Sequence, residues 1–403
     1  LLPATCLLSL LFVWALVSDR LAARWSITAP MAFVAAGIVL TRGAHPAVPI
    51  DFEAHSFEVA VEVVLAVMLF VDATEARDYE KLGKSVGEGR LLGLALPASV
   101  GLATLIGALL FPGTNWWLLA VAALVVMPID RAPVAGLLGD KRIPLRVRAA
   151  LNIEGGFNDG LASPLFLFCV ANLASAHGSS FGDLLFGVVK GSVLAVVIGT
   201  ALGALAAWLV RRANDSGWAR PAALRTASLA LPFLAYTIAT PLGGNGFVTA
   251  FVTGLWYAGA ARAVKADNLG LVHEAGHLLS LAVWFTLGKI AADQFADGIT
   301  LRVVAYGLLA LTVARYVPVV VSLAGTGAGR AERAAIGWLG SRGVTSIVFG
   351  LLAFIELPAG EGTFIIEVMC ATVLLSAVLH GVTQEPVARW FARRPDTSTL
   401  PVG

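Results

Sequence analysis

The chain has 403 residues, of which 58% are hydrophobic and only 13% charged, far below the roughly 25% charged of an ordinary soluble domain. Its net charge of +2 comes from basic residues scattered between apolar segments, which gives no footing for nucleic-acid binding and points to a protein whose partner is the lipid bilayer. Three cysteines, Cys6, Cys169 and Cys370, lie far apart in separate apolar segments and read as small apolar filler.

Apolar runs of roughly 17–25 residues mark membrane-spanning helices. In chain order they fall near residues 3–18, 27–41, 56–73, 91–112, 116–139, 145–171, 183–210, 222–240, 246–262, 274–295, 301–324, 332–355 and 365–390, thirteen in all. The first run resembles a signal peptide, but a basic loop from Ser18 to Trp25 and another span follow it, so a first transmembrane helix is expected. The small-residue spacing of "GTALG" at 199–203 reads as helix packing.

Orientation follows from the basic residues. Alternate loops and ends carry Arg20, Arg24; Arg77, Lys81, Lys84, Arg90; Lys141, Arg142, Arg146, Arg148; Arg211, Arg212, Arg220, Arg225; Arg262, Lys265; Arg330, Arg333; and Arg389, Arg393, Arg394. The opposite loops hold only Arg42 and Arg302. The rich side is read as cytoplasmic, which places the C-terminus inside and, with an odd helix count, the N-terminus outside. No soluble domain fits, since the longest polar segments, 74–90 and 211–225, are loop-sized.

Two spans look interrupted. In "LVVMPIDRAPVAGLLGD" (124–140) Pro128, Pro133 and two charges break the helix; in "GWLGSRGVTSIVFG" (337–350) glycines surround Arg342. Each is the penultimate member of a six-helix half, and paired broken helices in corresponding positions mark the midplane site of a transporter. The fold expected is an all-α membrane protein of about 13 helices in two inverted six-helix repeats with crossing broken helices. It would form one domain over 1–403, with halves at about 1–171 and 222–390, a linking helix at 183–210 and a short cytoplasmic tail at 391–403.

The stretch "NIEGGFNDGLASP" (152–164) places three polar side chains in the sixth span. A charge at the bilayer centre costs at least about 2.5–3.5 kcal/mol, so each carboxylate there is a functional hypothesis. Glu154 and Asn158, four apart, share a helix face, while Asp159 is about 140° round the axis from Glu154. Arg315 in "TVARYVPVV" is the basic residue in the middle of span eleven, and a bracing pair Glu154–Arg315 is the reading taken, with direct ion handling as the alternative. Asp159 with Asn158 offers oxygen to a hard monovalent cation, and burial favours the neutral acid enough for protons to compete for the same oxygens. Asp130 is expected to offset the positive N-terminal end of the half-helix that follows it, and Arg342 to face the negative C-terminal ends at its own break. Ligation of the cation by Asp130 is the competing reading, weakened by Arg131, which could neutralise it. No catalytic residue, cofactor or resident metal is expected.

The segments "MPIDRAPVAGLLGDKRIPLRVRAALNIEGGFNDGLASPL", "GNGFVTAFVTGLW", "GWLGSRGVTSIVFGLL" and "LHGVTQEPVARWFAR" together resemble the bacterial NhaP-type sodium/proton antiporters of the cation:proton antiporter superfamily, over about residues 60–395. The resemblance implies a homodimer in the bacterial inner membrane that exchanges Na+ or K+ for protons by alternating access, electroneutrally, in the service of pH homeostasis. It places the Asn-Asp pair on Asn158 and Asp159, the bracing glutamate on Glu154 and its arginine on Arg315. Ile129 stands where the family usually has threonine, Gly155 where it usually has serine, and Arg131 where it has a small residue or proline. The first two changes remove side-chain oxygens, which leaves substitution by water or backbone carbonyls, a shift toward potassium, or loss of transport.

Other motifs compete. "HEAGH" (273–277) matches the zinc signature of two histidines and a glutamate, which raises an intramembrane metalloprotease. Catalytic zinc needs a third protein ligand, and Asp293 and Asp297 lie about five turns away. A passive cation channel is the third reading, in which Glu62, Asp72 and Lys289 would line a pore rather than sit at span ends or in interhelical bonds; Lys190 is read as snorkelling. "GTGAGRAER" (325–333) follows a membrane helix rather than a strand and reads as a connecting loop.

Overall fold

The structure is a computed structural model that describes residues 2–25, 27–43, 46–50, 55–80, 87–174, 180–261, 268–296 and 298–393. Lys81, Lys84, Arg262, Lys265, Asp297 and the tail beyond residue 393 lie outside the described residues. Among those described the chain is all helical, without strands. In order the helices are α1 (Leu2–Trp25), α2 (Ala29–Thr41), α3 (His55–Glu80), α4 (Glu88–Leu110), α5 (Trp116–Val126), α6 (Ala135–Gly139), α7 (Leu145–Ala174), α8 (Phe181–Asp215), α9 (Pro221–Leu242), α10 (Gly246–Ala261), α11 (Gly270–Gln294), α12 (Leu301–Ser322), α13 (Arg330–Trp338), α14 (Val344–Glu356) and α15 (Ala359–Ala392). Among the described residues seven of these, α4, α7, α8, α9, α11, α12 and α15, are long and apolar enough to cross a membrane, and the N-terminal part of α1 with α2, α5 and α14 are shorter apolar helices.

The fifth and twelfth predicted spans are the ones that come apart. α5 stops at Val126, before Pro128, and α-helix resumes at Ala135 after a 3-10 turn over Ala132–Val134; a proline has no N–H to continue the ladder. α13 stops at Trp338 and α14 starts at Val344, across Gly340 and Gly343. The two unwound segments meet. Asp130 N donates to Ser341 O at 2.8 Å, and Ser341 Oγ donates to Asp130 O at 2.5 Å. Non-helical backbone at membrane depth is tolerable where protein surrounds it, and here each break supplies partners for the other.

Around this crossing the helices pack closely. Phe166 of α7 stacks on Phe349 of α14, with ring centroids 4.6 Å apart. Gly156 of α7 lets α3 approach, since a Cβ there would lie 2.9 Å from the Asp72 carbonyl. Gly199 and Gly203 play the packing part read from "GTALG": a Cβ would come within 2.8 Å of Thr249 O and 2.7 Å of Thr253 O on α10. Apolar side chains such as Phe186, Val193 and Trp208 of α8 remain exposed, as suits a surface solvated by lipid.

Candidate functional site

α7 carries Glu154, Asn158 and Asp159, and all three are buried. Glu154 is gripped from α12: Arg315 Nη1 bonds to Oε1 and Nη2 donates to Oε2 at 2.7 Å. This is the two-pronged guanidinium–carboxylate geometry, the strongest form of such a pair. Arg315 directly follows a π-turn over Ala310–Ala314, a local widening of the helix common at functional sites. Gly340 makes room for the guanidinium, because a Cβ there would stand 2.5 Å from Arg315 Nε. The pair thus joins α7, α12 and the loop after α13.

Asp159 has a different environment. One carboxylate oxygen accepts from Thr345 Oγ1 of α14, and the other, Oδ1, is buried with no hydrogen-bond partner in the protein. Asn158 donates through Nδ2 to the Ile129 carbonyl at 3.0 Å, while its own Oδ1 has no partner. Asp159 lines a small cavity together with Met68, Asp72, Ile129, Asp130, Arg131, Gly155 and Thr345. Buried oxygens are normally satisfied. Two unsatisfied ones on adjacent residues, one of them at such a cavity, are what a dehydrated cation or a proton would use.

The broken-span charges each reach across to the other break. Asp130 Oδ2 accepts from Val344 N at 2.5 Å, so it caps the N-terminus of α14 across the crossing. Arg342 Nη1 donates to the Met127 carbonyl at the end of α5, not to the ends at its own break. Arg342 is seated from α15: its backbone N donates to Ser376 Oγ at 2.7 Å, Ser376 Oγ lies 2.9 Å from His380 Nδ1, and His380 Nε2 lies 2.8 Å from Trp338 O. The reason is geometric. Where two unwound segments cross, the nearest helix end of opposite sign belongs to the partner segment.

Arg131 reaches α3: its guanidinium bonds to Asp72 and lies 2.6 Å from Glu75 Oε2. Asp72 thus bonds from within α3, which continues to Glu80, to the unwound segment after α5. Asp72, Thr345, Ser376 and His380 are therefore neighbours of the site that the sequence reading did not assign to it. An acid inside an apolar span was signal enough for Asp72; nothing in the sequence separates Thr345 from other threonines.

The competing motifs disperse. His273 Nε2 lies 2.9 Å from Thr74 Oγ1, whereas Glu274 and His277 are exposed. Asp293 pairs with Lys289 at 2.5 Å, and among the described residues no group of three or more His, Cys, Asp or Glu could hold a metal. Residues 325–329 form a turn with positive φ at Gly325 and Gly327, leading into α13.

Comparison with known proteins accords with this geometry. A family profile described as "Sodium/hydrogen exchanger, transmembrane" matches residues 6–390. The K(+)/H(+) antiporter NhaP of Alkalimonas amylolytica is 26% identical over 283 residues, which cover 69% of this chain and 48% of that protein. The K(+)/H(+) antiporter NhaP2 of Shewanella oneidensis is 24% identical over 297 residues, covering 72% of this chain and 50% of that one. The chain thus spans about half the length of the curated relatives it matches. The structure of the sodium proton antiporter MjNhaP1 from Methanocaldococcus jannaschii superposes with a TM-score of 0.73 at 17% identity, covering 93% of this chain and 98% of that one; the two share a fold.

Proposed function

The chain belongs to the sodium/hydrogen exchanger family of multi-pass membrane proteins, transporters rather than enzymes, and from that premise we propose that it exchanges a monovalent cation, Na+ or K+, for protons by alternating access. Asp159 is the group that alternates. Protonated, it is a neutral acid suited to burial; deprotonated, it needs a cation in its place. Because proton and cation compete for the same oxygens, the occupied site carries the same charge in both states, and the exchange is one for one and electroneutral. Asn158 supplies a second oxygen. Glu154–Arg315 braces the helices, and Asp130 and Arg342 hold the two breaks together.

The observation that carries this reading is the pair of buried, unpartnered oxygens on adjacent residues, Asp159 Oδ1 and Asn158 Oδ1, the first of them at the cavity. With Ile129 and Gly155 at that cavity, the backbone and water replace side-chain oxygens in the cation's shell. The same reading takes the chain as thirteen crossings, with inverted halves at about 1–171 and 222–390 joined by 183–210. It places the N-terminus outside and the C-terminus in the cytoplasm of a bacterial inner membrane, in a homodimer that serves pH homeostasis.

The test is pH dequenching in proteoliposomes with sodium, potassium and lithium in parallel. A cation-driven proton flux, unchanged by a potassium ionophore clamp and lost in Asp159→Asn, is expected. Cation flux without proton movement would mean a channel instead.

A further inference from the structure

The cavity beside Asp159 holds a side chain with the charge of the cargo. Arg131 enters it from the unwound segment after α5 and runs along α7 at Gly155, where a Cβ would come within 3.1 Å of its Cγ and 3.4 Å of its Cδ. The side chain ends on Asp72 and Glu75 of α3. Arg131 and Asp72 are only 13% and 12% exposed. Among the described residues lining the cavity stand the carboxylates of Asp72, Asp130 and Asp159 and the single guanidinium of Arg131. Asp130 is engaged by Val344 N and Asp72 by Arg131, while Asp159 keeps an oxygen without a partner.

Asp72 at the cavity, with the partly exposed Glu75 beside it, would, if bare, draw a cation out of solution. Here the fork of an arginine meets them, and it cannot leave. Resting on the exchanger reading above, we propose that Arg131 is a tethered cation that permanently fills the Asp72 side of the cavity, confines the transported ion to the Asp159 side and thereby sets the affinity for that ion. Gly155 is the lane that admits its stem; a side chain there would crowd it.

Removing the tether should make room for a free cation of the same shape. In purified full-length protein, thermal unfolding is compared in millimolar guanidinium chloride and in choline chloride at equal ionic strength. Arg131→Ala is expected to gain a guanidinium-dependent rise in Tm that wild type and Arg131→Lys lack and that Arg131→Ala/Asp72→Asn loses again. Should the alanine variant not fold, Arg131→Gln, close in size and still able to hydrogen-bond, carries the same readouts. In proteoliposomes, loss of one positive charge near the bound ion should lower the cation KM by roughly tenfold, with kcat changed less and Arg131→Lys near wild type; guanidinium should compete in the alanine or glutamine variant alone. A folded variant with no guanidinium response and a wild-type KM overturns the inference while leaving the exchanger reading intact. Absence of exchange in wild type would instead remove the exchanger reading, and the thermal arm would still decide whether Arg131 fills a cation site.

Discussion

Glu154 and Asp159 sit five residues apart on one helix and are equally buried, each 1% exposed, yet they have opposite surroundings. Both oxygens of Glu154 are taken by one guanidinium. Asp159 receives a single hydroxyl and lies beside a cavity. Burial alone therefore does not give two carboxylates the same surroundings. On the exchange proposed above, what distinguishes the two is whether the protein supplies the counter-charge permanently or leaves that place for something that comes and goes.

The largest effect expected from this contrast is on transport. Asp159→Asn should cut cation-driven proton flux by roughly a hundredfold or more, the scale of losing a desolvated ionic ligand, while the protein still folds and unfolds at a similar temperature. Substantial residual flux would erase the distinction between the two acids. Glu154→Gln should act on stability instead. It strands Arg315 without its counter-charge at a cost of about 3–5 kcal/mol, read as a fall in Tm or in folded yield. The double variant Glu154→Gln/Arg315→Met should recover much of that loss, because removing both charges removes the penalty; failure to recover would mean that Glu154 does more than pair.

Thr345→Val sharpens the comparison on the side of Asp159. The change keeps the shape and removes one donor to a charged acceptor, worth about 1.5–3 kcal/mol, and should appear as a change in apparent cation KM larger than any change in Tm. The smallest effect belongs to an ion pair in water. Arg142 bonds to Asp140 at 2.8 Å and to Glu385 at 2.8 and 3.1 Å on the exposed face, and its hydrogen bond holds the Asp140 carboxyl below the usual 3.8. A lowered carboxylate stabilises the fold above the unfolded value and loses that contribution as pH falls through the folded one. Arg142→Ala should therefore lower Tm slightly at about pH 7 and by still less at about pH 3. A drop comparable to that of Glu154→Gln would show that exposure is a poor guide to what these pairs contribute.

The sequence by itself determined the membrane class, the all-helical fold and the neighbourhood of the site. Apolar runs long enough to cross lipid, prolines and glycines inside two of them, and acids where acids are costly are local signals that need no partner to be read. Tertiary structure decided the pairings. Read along the chain, Asp130 and Arg342 belong to their own breaks; each also bonds across the crossing, because which helix ends face one another is settled by how two unwound segments pack. Arg131 stands next to Asp130 in sequence but bonds to Asp72 and Glu75, because Gly155 lets its side chain, and Gly156 lets α3, come close to α7. Thr345 was invisible until α14 stood beside α7. Hydrophobicity is a property of a segment, whereas complementarity of charge belongs to two segments brought together, and in this protein the chemistry lies in the second.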